Sequence, residues 1–131
     1  MAYTTGADIT GKRIIVTGGT SGMGKTLVEA FPGMGANIVF FGRNEARGSA
    51  LAKDTGARFI PVDVTEEAAV DAAMEEAVKH LGGLDVLVHA AGIAPAASAE
   101  AISLAQWQEV MATNATSTFL TNVAAFPHLQ E

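Results

Sequence analysis

The sequence predicts an α/β protein whose open parallel sheet is wound on both faces by helices. Three observations carry that expectation. Short runs of Ile, Val, Phe and Leu recur at residues 13–17, 37–41, 57–61 and 84–89. Their apolarity is continuous rather than alternating, as in strands buried on both faces of a sheet. Between them lie longer segments with helix signals, and strand–helix repeated four times is the rhythm of crossovers wound in one hand.

The first run leads into a glycine cluster and then a helix expected over residues 23–31. Pro32 and Gly33 fall where that helix should still be turning. Proline removes a hydrogen bond and crowds the preceding turn, so an early end or a kink is expected. After the second run, residues 45–54 form a helix closed by Gly56 as a left-handed cap. After the third, Thr65 is the expected N-cap of a helix reaching about Leu81, with Glu66 and Glu67 at its positive end. After the fourth, Ser103 and Gln106 make a capping box for a long helix expected to stop near Pro127. Neither a linker nor an internal repeat interrupts this series, so residues 1–131 read as a single domain.

Composition excludes several classes of function. Hydrophobic residues make up 49% of the chain, too many for a disordered one. The formal charge of −6 argues against nucleic-acid or acidic-membrane partners, which require basic surfaces. Without cysteine there is no disulfide or thiolate metal site, so no metal site is expected and a reducing cytoplasm is the expected compartment. Residues 1–13 lack the apolar core of a signal peptide. The most apolar stretch, residues 84–97, is broken by Asp85 and His89, so no membrane span is expected.

The segment Thr17-Gly18-Gly19-Thr20-Ser21-Gly22-Met23-Gly24-Lys25-Thr26 follows the first strand directly. Glycines at a strand-to-helix turn let backbone approach a phosphate, and the helix's free N–H groups and dipole favour the anion. Two patterns fit these residues. Gly19 through Thr26 matches the phosphate loop of a nucleotide triphosphatase, with Lys25 for the β/γ-phosphates, Thr26 for magnesium and Asp63 as a further metal aspartate. Gly18, Gly22 and Gly24 alternatively match a dinucleotide loop. This segment alone leaves both open.

Later landmarks favour the second pattern. Dinucleotide folds that select NAD place an acid about 20 residues beyond the glycines, on the ribose hydroxyls. Gly42 holds that place here, with Arg43 beside it. A guanidinium suits the extra 2′-phosphate of NADP. Asp63-Val64 follows the third strand, and His89-Ala90-Ala91-Gly92 follows the fourth. Trp107 and the run Asn114-Ala115-Thr116-Ser117-Thr118-Phe119-Leu120 lie in the long helix. In order and spacing, from about Gly11 to the last residue, these landmarks resemble the short-chain dehydrogenase/reductase family. The phosphate-loop match accounts for eight residues only.

The resemblance implies a partial Rossmann-type, doubly wound parallel sheet with strand order 3-2-1-4. It implies that Gly18, Thr20, Ser21, Gly22, Met23 and Gly24 hold the cofactor's pyrophosphate side, and Asp63 and Val64 its adenine. Arg43 is implied for the 2′-phosphate, making NADP the expected cofactor over NAD, and Ala91 and Gly92 for the ribose. Asn114 matches an asparagine that supports catalysis by positioning a lysine through water. There are departures: the family's usual Asn-Asn-Ala-Gly reads His89-Ala90-Ala91-Gly92, and Ser117 stands for a glycine. His89 is accordingly read as a strand-end hydrogen-bonding residue. The family's chemistry uses a serine and a tyrosine followed four positions later by lysine. The only tyrosine here is Tyr3, with Ala7 four positions on.

The chain is therefore expected to be the cofactor-binding front of such an oxidoreductase, truncated relative to the family and unable to transfer hydride alone. A non-catalytic dinucleotide-binding or assembly module and the phosphate-loop nucleotidase are the alternatives. A homo-oligomer is expected, through the long helix or through an unpaired edge at Leu84, Val86, Leu87 and Val88.

Overall fold

A computed structural model describes residues 6–129. Tyr3 lies outside the described residues. Four parallel strands form one sheet in the order β3-β2-β1-β4. They are β1 (Arg13–Thr17), β2 (Asn37–Gly42), β3 (Arg58–Pro61) and β4 (Val86–His89). Register is parallel throughout, with Val16 opposite both Phe40 and Val88 and Phe41 opposite Ile60.

Alternate side chains of the central strands enter two separate cores. Ile14, Val16, Ile38 and Phe40 point to one face, where α1 (Gly22–Ala30) and α2 (Glu45–Thr55) contribute Val28 and Leu51. Ile15, Val39 and Phe41 point to the other, against Val70, Met74 and Ala77 of α3 (Glu67–Leu81) and Ala125 of α5 (Ser117–Leu129). Continuous apolar strands are thus what a doubly wound sheet demands, because both faces of every central residue pair are covered. The short helix α4 (Leu104–Met111) precedes α5.

The element boundaries carry several corrections. α1 begins one residue early, at Gly22, and gives way to a 3-10 turn at Pro32–Met34, the early end that Pro32 dictates. β2 runs on to Gly42, whereas Ala57 precedes β3 rather than belonging to it. Thr65 does not cap α3. The cap position is Glu66, with no side-chain bond, because the Thr65 hydroxyl is drawn back to Asp63. Leu84 is buried outside β4, which starts at Val86, so it is no part of the unpaired edge.

The long helix is not uniform either. Residues Ala112–Thr116 form a π-turn between α4 and α5. Hydroxyls on this stretch bond back to the preceding turn: Ser117 Oγ to the Thr113 carbonyl and Thr121 Oγ1 to the Ser117 carbonyl at 2.8 Å. Such back-bonding bends helices. Pro127 lies inside α5, which continues to Leu129. The carbonyl this proline leaves unbonded belongs to exposed Val123, where water can serve it.

Candidate functional site

The carboxyl ends of all four strands open into one cleft of about 260 Å³. In open α/β sheets this is the edge where ligands bind. After β1 come Gly18, Thr20 and Ser21; at the end of β2 stand Gly42 and Arg43. Asp63 and Val64 follow β3, and Ala91 and Gly92 follow β4. The sequence-predicted residues from four separate segments therefore meet in one place. Gly22 lines an adjoining cavity between α1 and α2 rather than the cleft itself. Met23, Gly24 and Asn114 line neither.

Two glycines make the loop possible. Gly18 has φ +65°, and a Cβ there would fall 2.6 Å from the Ala91 backbone. No other residue combines that conformation with that approach. Gly24 is buried, and a Cβ on it would collide with the Gly18 carbonyl and sit 3.2 Å from Ala90 Cβ. Gly24 thus lets α1 pack closely on the loop, whereas Met23 is 81% exposed on the helix's outer side.

Thr17 joins the two halves of the cleft. Its buried side chain accepts hydrogen bonds at Oγ1 from the backbone N–H groups of Ala90 and Ala91, both 3.3 Å. The sequence reading gave Thr17 no role beyond ending the strand. Its signal is that the last buried position of β1 holds a hydroxyl rather than a fourth aliphatic chain.

Asp63 is held in a turn. Its Oδ1 accepts from the Thr65 N–H at 3.0 Å and from the Thr65 hydroxyl at 2.7 Å. Those bonds, aided by the charge of Arg43, keep its carboxyl below the usual aspartate range, so it is ionised at neutral pH. Asn44 caps α2 by accepting at Oδ1 from the Arg47 N–H at 3.0 Å, and both residues line the cleft.

Asn114 lies in the π-turn and reaches across to the loop after β4. Its Oδ1 accepts from the Ile93 N–H and its Nδ2 donates to the Ile93 carbonyl, each at 2.8 Å. Ile93 and Thr113 in turn line the cleft, so Asn114 shapes the wall without forming it. His89 is bound to α5, with Nε2 2.9 Å from Asn122 Oδ1 and Nδ1 3.2 Å from Thr121 Oγ1. That is the strand-end hydrogen-bonding role expected of it.

The phosphate-loop geometry does not assemble. Lys25 turns along α1 to pair with Glu29 at 3.3 Å, and the Thr26 hydroxyl bonds the Gly22 carbonyl. Neither side chain lines the cleft. Among the described residues, no three His, Asp or Glu side chains are grouped to hold a metal ion, and no helix is long and apolar enough to cross a membrane.

A parallel sheet in the order 3-2-1-4, with a glycine loop at its carboxyl edge, is a Rossmann-type dinucleotide fold in class. The short chain dehydrogenase family pattern matches residues 12–131, and the chain belongs to that family. It is 37% identical over 123 residues to the L-fucose dehydrogenase of Mus musculus, covering 92% of this chain and 45% of that protein. It is 39% identical over 112 residues to the 3-alpha-(or 20-beta)-hydroxysteroid dehydrogenase of Mycobacterium tuberculosis, covering 84% and 43%. Among solved structures, a dehydrogenase/reductase from Sinorhizobium meliloti superposes with TM-score 0.83 at 34% identity, over 93% of this chain and 51% of that one. The chain spans about half the length of the curated relatives it matches.

Proposed function

We propose that residues 1–131 act as one dinucleotide-binding domain of an oxidoreductase, taking NADP in preference to NAD. The observation that carries this reading is the end of β2, where Gly42 and Arg43 line the cleft in the place an NAD-selecting acid would take. A Cβ at position 42 would come 2.5 Å from Thr20 Cγ2, so an acidic side chain has no room there unless Thr20 moves. The glycine loop supports the same ligand: Gly18 lines the cleft, and its missing side chain lets the Ala91 backbone close against the loop beside the first turn of α1. A 3-ketoacyl-(acyl-carrier-protein) reductase from Brucella melitensis complexed with NADH superposes on the chain with TM-score 0.86 at 28% identity, which supports a nicotinamide dinucleotide as the ligand class.

In this reading Thr20, Ser21 and the first turn of α1, with Gly22, Met23 and Gly24, hold the pyrophosphate. Asp63 and Val64 hold adenine, Ala91 and Gly92 pass close to ribose, and Asn114 fixes the wall at Ile93. When bound, the nicotinamide ring supplies the hydride acceptor or donor. Calorimetric titration of the wild type and Arg43→Ala with NADP tests the reading. An Arg–phosphate pair contributes roughly 1.5–3 kcal/mol, so the variant should lose about ten- to a hundredfold in affinity. Equal affinity in the two proteins would contradict it.

We propose further that the chain forms a homo-oligomer. Among the described residues β4 pairs with β1 alone, Val86 is exposed, and Trp107, Phe119 and Phe126 are exposed on α4 and α5. An unpaired strand beside exposed apolar surface is a template for another chain.

A further inference from the structure

We infer that Arg47 is a second guanidinium for the cofactor's 2′-phosphate and that it shares with Arg43 the selection of NADP. The inference rests on the dinucleotide reading of the cleft and names a residue that the sequence pattern passes over.

Arg47 stands in the first turn of α2, where its N–H is committed to Asn44 Oδ1 and its backbone is thereby anchored. Its side chain is exposed and has no carboxylate partner among the described residues. It lines both the main cleft and the adjoining cavity between α1 and α2, and the wall common to the two also contains Thr20 and Ser21. Two hydroxyls and a free guanidinium thus border the mouth of the glycine loop, on a chain whose net charge is −6.

Arg43 is differently placed. It lines the cleft together with the Asp63 carboxylate. A phosphate monoester carries close to two negative charges near neutral pH. One guanidinium in a cleft that also holds a carboxylate leaves that dianion under-compensated, and Arg47 is the cation on the same wall able to complete it. The carboxylates of the adjoining cavity do not compete closely: Glu29 is held by Lys25 at 3.3 Å, and Asp54 lies about two turns further along α2. A planar fork binds phosphate bidentately, which a lysine ammonium cannot do.

The test is calorimetric titration of the full chain with NADP⁺ and with NAD⁺, in the wild type, Arg47→Ala, Arg47→Lys and Arg43→Ala. Because Arg47 is exposed, its variants should melt with the wild type. Arg47→Ala should weaken NADP⁺ about tenfold and change NAD⁺ by no more than about twofold, with Arg47→Lys in between. A wild type that prefers NADP⁺, together with an Arg47→Ala variant that keeps the whole preference, would overturn the role of Arg47 and leave the cleft reading intact. A wild type that does not prefer NADP⁺ would overturn the cleft reading and this inference together.

Discussion

At Gly18 two constraints act on one atom: a left-handed φ of +65° and a neighbouring backbone 2.6 Å from any Cβ. A left-handed conformation alone costs an alanine roughly 1–2 kcal/mol, and the overlap adds to it. Gly18→Ala should therefore lower the urea midpoint by at least that equivalent, and a variant as stable as the wild type would mean the loop can shift freely. Asn114 offers a second check at this scale. Its two bonds to Ile93 are each worth about 0.5–1.5 kcal/mol, so Asn114→Ala should lose roughly 1–3 kcal/mol. It should also speed hydrogen exchange at the Ile93 amide while leaving β1 protected. Gly18 was legible in sequence because a strand-to-helix turn of this kind demands glycine, whereas Asn114 was marked by the family resemblance alone and its bonds to Ile93 were not foreseen. Thr17 and Arg47 were not, since each is an ordinary residue until a distant segment arrives beside it.

Among the elements, strands were the readable part, because burial on both faces imposes an apolar run that little else explains. Caps were read well where the partner is local, as at Ser103, whose hydroxyl accepts from Gln106 N–H while the Gln106 side chain accepts from Ser103 N–H. Thr65 was misread because Asp63, two residues back, competes for its hydroxyl. The π-turn had no signature in sequence; Asn114, which bonds Ile93 across the cleft wall, lies within it. β1 and β4 are tied at their amino ends by Arg13, which donates from Nε and Nη2 to Asp85 at 3.0 and 2.9 Å, with a further bond to the Gly82 carbonyl. Those bonds hold the Asp85 carboxyl well below the usual aspartate range. A depressed carboxyl stabilises the fold above its unfolded value, about pH 4, and that contribution fades as pH falls further toward the folded value. Thermal melting should thus show the wild type losing stability below about pH 4 more steeply than Asp85→Asn. Parallel acid profiles would contradict this.

For the whole molecule, the unpaired edge of β4 and the exposed aromatic residues of α4 and α5 predict association. Light scattering across a dilution series should give a mass above that of one chain at micromolar concentration, and a stable monomer would contradict it. We predict no hydride transfer by these 131 residues alone, because among the described residues the cleft has no phenol paired with an ammonium to move a proton near neutral pH. Absorbance at 340 nm should remain flat with alcohols and ketones, whereas turnover that tracks Asn114→Ala would require another mechanism. The central claim, that the carboxyl edge of the sheet is a dinucleotide site rather than a triphosphate site, is tested most directly by competitive calorimetry of one preparation against NADP⁺, NAD⁺ and ATP with magnesium. The predicted result is NADP⁺ tightest, by about tenfold or more over NAD⁺, with no magnesium-dependent binding of ATP. Magnesium-dependent ATP binding tighter than either dinucleotide, and lost in Lys25→Ala, would contradict it.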